Sequence, residues 1–169
     1  MKSLLVLILA SIFLLPLASK AFAASTPEVT PSAAIKLTRL PFKGTIQSTE
    51  TYVTVSPTMS VTATGSGDAT QLGAFHINYE LEVNLLDLSG KGSAYFVGSN
   101  GDSLQAEAIG QTVPNRTQDM FNVVEIYTIT GGTGRFTGAS GTITLNRLIS
   151  ITTGAAVSNF EGYILMPWK

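Results

Sequence analysis

A small closed antiparallel β-barrel of about eight strands, all-β throughout, is the fold class that this sequence predicts, and three observations predict it. Behind its first residues the chain is a nearly unbroken succession of runs rich in Thr, Val, Ile, Tyr and Phe, separated by turns containing Gly, Asn, Asp and Ser. No stretch there keeps an amphipathic helical period for more than two turns, so no helix is on hand to cover a sheet face. Cysteine is absent, so the fold must be held by packing and closed hydrogen bonding, without disulfides. Strands without a covering helix leave edges that have to be closed against each other or against a second sheet. The long run 72–85 favours a barrel, whose strands tilt and coil, over a sandwich of short strands.

Taken in order, residues 1–23 read as a secretory signal peptide. Lys2 precedes a run, 4–17, that is apolar apart from Ser11, and Ala21 and Ala23 supply the small residues of a cleavage site. The run is shorter than the roughly 20 residues needed to cross a bilayer, so no membrane span is expected after cleavage and the expected location is secreted or periplasmic. Residues 24–41, with Pro27 and Pro31 among Ser and Thr, read as an extended tether, and 42–169 as the barrel. Cleavage after Ala23 leaves 146 residues, the size of one domain, with eight bases against eleven acids. No basic run occurs, which excludes nucleic acid as a partner, since neutralising phosphates requires clustered Lys and Arg.

The barrel is predicted from the runs 42–48, 51–55, 58–64, 72–85, 92–98, 103–110, 121–130, 142–149 and 157–165, with turns at 65–68, 87–90, 99–102 and 131–141. Asn100-Gly101 matches a type I′ hairpin. The longest connection, 111–119, is the expected mobile lip of a cavity. Phe136, a bulky ring between flexible turns, is expected to plug one end of the barrel.

Three strands carry a charge on their more apolar face. Glu125 interrupts Phe121, Val123, Tyr127 and Ile129; Arg147 interrupts Ile143, Leu145 and Ile149; and Glu161 lies in the series Val157, Asn159, Tyr163, Leu165. If these faces point inward, a guanidinium lies within reach of two carboxylates in a low-dielectric lumen. Glu125, Arg147 and Glu161, with Tyr127 and Tyr163, then form a candidate ligand-binding set that orients a ligand carboxylate or carbonyl. A structural ion pair competes with that reading, because buried charge must be paired with or without a ligand. The five tyrosines suit a lumen or an ordinary core equally well, and Trp168 is expected to cover a barrel end or a subunit contact.

Other chemistries find little support. His76 is the only histidine and belongs to the polar face of a half-buried strand, so neither a metal site nor a Ser-His-Asp triad is expected, and no G-x-S-x-G elbow occurs. The glycines of 131–141 are followed by a strand rather than a helix, which removes a phosphate loop. No cofactor is expected.

The strings GSGDATQLGAF (65–75), GSNGDSL (98–104) and TITGGTGRFTGASGTI (128–143) resemble those of a family of exported bacterial proteins. Its domain is similar to the allene oxide cyclase barrel and, in shape, to dirigent proteins and more loosely to calycins. The resemblance covers roughly 42–165 and implies an eight-stranded barrel with a lumen for a small apolar or amphipathic molecule. It further implies a homo-oligomer, and in the plant enzymes a mould that fixes substrate conformation without a cofactor. No binding residue carries over position by position. Three functions follow as expectations: a non-catalytic exported binder of a small apolar ligand, a cofactor-free cyclase or isomerase, or a structural protein whose barrel is filled by its own side chains.

Overall fold

The period-two alternation seen in the sequence becomes eight strands: β1 (Leu37–Val55), β2 (Thr58–Ala69), β3 (Gly73–Asn84), β4 (Ser89–Gly98), β5 (Ser103–Pro114), β6 (Met120–Gly132), β7 (Ser140–Ser150) and β8 (Ala155–Pro167). The computed structural model describes residues 36–167. The expected signal peptide, most of the expected tether and Trp168 lie outside them. Each strand pairs antiparallel with the next, and β8 returns to β1 over Leu37–Thr49, so the sheet closes into a barrel. Closure gives every strand a partner on both sides, which removes the exposed edges that an antiparallel sheet otherwise has to protect. Among the described residues the one helical element is a single 3-10 turn, Gly134–Phe136, and no helix is long and apolar enough to cross a membrane.

Several boundaries differ from the sequence reading. The runs 42–48 and 51–55 are one 19-residue strand, β1, which pairs with β8 through its first part and with β2 from Gly44 onward. That strand begins at Leu37, inside the stretch read as tether, and Leu37–Pro41 pair with the end of β8. Gly65 to Asp68 is not a turn but part of β2, and the chain reverses at 70–72, where Gln71 takes a positive φ of 69°. Gly67 lies there because an added Cβ would run into the Thr45 carbonyl oxygen of β1 and would sit 2.8 Å from Cζ of the Phe75 ring. The 99–102 turn is a hairpin, but Gly101 alone takes a positive φ, 85°. Its N–H donates to the Gly98 carbonyl at 2.9 Å, and the Gly98 N–H donates to the Asp102 carbonyl at 2.9 Å. A type I turn closed by a left-handed glycine therefore replaces the type I′ turn. The 111–119 connection shortens to 115–119, because β5 continues to Pro114 against Phe121.

The inner faces divide the lumen into two halves. At the end where β1 starts and β8 finishes, Phe42, Phe75, Phe96 and Phe160 pack at centroid distances of 5.1 Å (Phe42 to Phe160), 5.5 Å (Phe75 to Phe96) and 6.5 Å (Phe160 to Phe75 and to Phe96). Leu104, Ile164 and Phe136 are fully buried in the same cluster, so Phe136 does pack back onto this end of the core. Tilted aromatic contacts of this kind contribute beyond their buried area. Phe160 meets three of these rings, so Phe160→Ala should lower unfolding stability by about 3–5 kcal/mol in a urea titration. A loss under about 1 kcal/mol would show that the aromatic half is not the stabilising core.

Candidate ligand-binding site

Toward the other end, the inward positions change character. Beyond Phe42 and Ile46, β1 presents Ser48, Glu50 and Tyr52 to the lumen, β3 presents Tyr79, β6 presents Glu125 and Tyr127, and β7 presents Arg147. Glu50, Glu125 and Arg147 are 6%, 3% and 6% exposed, so three ionisable groups share one desolvated space. Arg147 spans them: Nη1 donates to Glu50 Oε1 at 2.7 Å and Nη2 donates to Glu125 Oε1 at 2.8 Å. These are charge-assisted bonds of the strong class.

Small residues make this reach possible. Arg147 lies diagonally across from Glu125, since Val123 is its direct partner on β6. To meet Glu50 on β1 it passes the intervening strand β8, whose inward residues at that level are Ala156 and Ser158. On the opposite side Ala63 of β2 is paired with both Glu50 and Tyr79, and its short side chain lets the Tyr79 hydroxyl reach across to Glu50. Gly110 is the direct partner of Glu125 on β5, and an added Cβ there would lie 2.5 Å from Glu125 Cγ. The methylene stem of Glu125 therefore occupies space that only glycine leaves open.

The two carboxylates are not equally satisfied. Glu50 Oε1 accepts from Arg147 and from Tyr79 Oη (2.6 Å), and Oε2 accepts from Tyr52 Oη at 3.0 Å. Tyr79 has spent its hydrogen on Glu50, so Ser48 Oγ, 3.0 Å away, donates to it. Glu125 has Arg147 and only a long 3.5 Å contact from Tyr127 Oη. Burial raises the Glu125 carboxyl above its ordinary 4.5, and the negative charge of Glu50 adds to the effect, while Arg147 partly offsets it. Burial works against the Arg147 charge, but Glu125, Tyr79 and Glu50 outweigh it and hold the guanidinium more firmly protonated than usual. The phenols of Tyr52 and Tyr79 are also raised, by burial first and with Glu50 adding to the rise. Arg147 Nε is buried without a hydrogen-bond partner.

Above this cluster lies a cavity of about 370 Å³ at the end of the barrel bounded by the connections 56–57, 85–88, 115–119 and 151–154. Its walls are apolar apart from Thr112, with Met59, Val61, Val83, Phe121, Val123 and Ile149 contributing, and Glu50, Tyr52 and Arg147 form its polar floor. Ligand sites of small molecules begin at about this volume and combine the same apolar wall with a few polar groups.

Of the residues expected from sequence, Glu125, Arg147 and Tyr127 face the lumen, and Glu161 and Tyr163 do not. Glu161 is exposed and paired in register with Lys43, and Tyr163 lies on the outer face with the Arg39 guanidinium 4.0 Å from its ring centroid. On β8 the inward series is Ala156, Ser158, Phe160 and Ile164. Because Ala156, Ser158 and Gly162 are small, the outward series Val157, Tyr163 and Leu165 looked the more apolar of the two. Tyr127 is fully buried beneath the cavity, edge-on to Phe96 at 6.4 Å, and does not line it. Sequence reasoning missed Glu50, the second ligand of Arg147. Its signal was the continuation of the alternation Ile46, Ser48, Glu50, Tyr52, which the expected break between 48 and 51 hid.

The same barrel occurs in known structures. The pterocarpan synthase dirigent protein GePTS1 is similar over 89% of this chain and 100% of its own, with a TM-score of 0.56 and 15% sequence identity. Another pterocarpan synthase dirigent protein, PsPTS1, is similar over 79% of this chain and 97% of its own, with a TM-score of 0.56 and 14% identity. The fold is dirigent-like. At these identities the likeness concerns the path of the backbone and carries no side-chain chemistry across. No protein-family profile matches the chain, and no curated protein matches it.

Arg147→Met would leave two buried carboxylates on no cation. It should destabilise the protein by about 3–5 kcal/mol in chemical unfolding at pH 7. That loss should shrink as pH falls, because protonation of Glu125, whose carboxyl burial already raises, removes one of the orphaned charges. In the wild type Glu125 already follows the same sign. Its folded-state pKa lies above the ordinary 4.5, so the native state holds its proton longer than the unfolded chain and this group loses stability as pH rises through the folded value. Glu125→Gln should therefore raise the melting temperature at pH 8, with the gain vanishing below pH 4.5. An equal gain at both pH values would contradict the placement of an ionisable, under-satisfied Glu125.

Proposed function

We propose that this protein is an exported, non-catalytic binder of a small apolar or amphipathic molecule held in the lumen. The observation that carries the reading is the 370 Å³ cavity, whose walls are apolar apart from Thr112 and whose charged and phenolic groups are gathered on its floor. A barrel serving as structure alone would be expected to fill both halves, as the phenylalanine cluster fills one. Export rests on the apolar run 4–17 and the small residues Ala21 and Ala23.

Binding is favoured over a cofactor-free cyclase or isomerase by where the perturbed acid lies. Proton-transfer catalysis calls for an acid or base at the cavity wall with its pKa displaced toward the working range. Glu125 is the carboxyl that burial raises, and it sits beneath the floor, outside the cavity lining. The phenol of Tyr52, which does reach the cavity, is pushed further from the neutral range.

Uptake of the neutral probe N-phenyl-1-naphthylamine tests the reading. Val61→Trp places an indole in the cavity, and should keep a barrel-like circular dichroism spectrum while weakening probe binding by at least about tenfold, or about 1.4 kcal/mol. Equal binding by the two proteins would put the guest elsewhere and remove the lumen proposal.

A further inference from the structure

The charge balance beneath the cavity selects the kind of head group that a guest can bring. Resting on the lumen reading above, we infer that the guest is an amphipath whose polar end donates hydrogen bonds, an ammonium best and a hydroxyl next, and that the site discriminates against carboxylates.

Glu50 and Arg147 are the charged residues that line the cavity, and Glu125 stands directly behind Arg147. With both carboxylates ionised the cluster carries one net negative charge. With Glu125 protonated it is neutral. In neither state does the floor present the uncompensated positive charge that would repay an anion for leaving water. Arg147 still has N–H groups unspent, but its charge is countered at 2.7 Å and 2.8 Å. A carboxylate approaching one of them meets Glu50 beside it, and like charges at such distances repel strongly when desolvated.

The unfilled acceptors tell the same story. An ionised carboxylate offers about four lone-pair sites. Three of those on Glu50 are taken, by Arg147, Tyr79 and Tyr52, which leaves one on Oε2, the oxygen bonded only by Tyr52. Tyr52 Oη, whose hydrogen goes to Glu50, is itself an acceptor at the cavity floor. A donor head group fits between these two oxygens, and an ammonium also neutralises the excess charge. The apolar tail then lies along Met59, Val83 and Phe121 toward the mouth. This reverses the sequence expectation of an arginine anchoring a ligand carboxylate: the second acid, Glu50, has already spent that arginine.

Octylamine, 1-octanol and octanoate share one tail and differ only in the head, so their affinities at pH 7.5, read by displacement of N-phenyl-1-naphthylamine and by calorimetry, test the inference. Octylamine should bind tightest, octanol next, and octanoate at least about tenfold more weakly than octylamine. Glu50→Gln removes the excess charge and should bring octylamine and octanoate to within about threefold of each other. Tyr52→Phe removes an acceptor but no charge, so it should weaken octanol while the amine keeps its lead over octanoate. Octanoate binding as tightly as octylamine to the wild type would overturn the inference and leave the lumen proposal intact, as would an unchanged gap in folded Glu50→Gln. No binding by the probe or by any of the three would overturn both. Should Glu50→Gln not fold, the wild-type ranking alone decides.

Discussion

Pairing between β1 and β8 turns this sheet into a barrel, and the chemistry of its interior depends on that closure. Once Leu37–Thr49 lie against Ala155–Pro167, the strands satisfy one another's backbone groups around the ring, and the inside becomes a low-dielectric space reached only from its ends. Any charge placed there loses water on folding and has to find its compensation locally. Glu50, Glu125 and Arg147 meet this requirement together: each carboxylate has the guanidinium, and the guanidinium has both. Without closure Glu50 and Arg147, which lie on opposite sides of β8, would have no common space in which to meet.

The two halves of the lumen solve different problems with different side chains. Aromatic rings fill the end near Phe42 and Phe160 and supply buried apolar area where no disulfide helps. In the other half the long polar side chains are accommodated because their neighbours are small: Ala63 between Glu50 and Tyr79, Ala156 and Ser158 between Arg147 and Glu50, and Gly110 opposite Glu125. The same economy of volume leaves the cavity unfilled above them. Packing there is sacrificed locally, as is common where a fold carries a site.

An ion cluster with two acids and one base is a poor device for stability. Its excess charge is held against desolvation, and one guanidinium nitrogen is left without a partner. Replacing such groups by packed apolar residues is often neutral or favourable. A floor that is short of positive charge and has acceptor sites to spare is better matched to a guest that brings donors. The elevated carboxyl of Glu125 belongs to the same picture: burial favours its protonated form and the negative charge of Glu50 adds to that, with Arg147 offsetting only part of it.

Much of this was legible in the chain alone. Local chemistry determined the strands, the lack of any α-helix among the described residues and the inward placement of Glu125, Arg147 and Phe136, because side-chain alternation and turn-forming residues act over a few positions. The face of β8 was misread where small inward residues weakened the apolar signal, and Glu161 and Tyr163 went to the outside. What the tertiary structure alone decided is which strand closes on which, and therefore that Glu50, 97 residues from Arg147 in sequence, is its partner. Alternation along a strand says which way a side chain points but nothing about who stands across the barrel, since that distance is set by strand tilt and register around the whole ring.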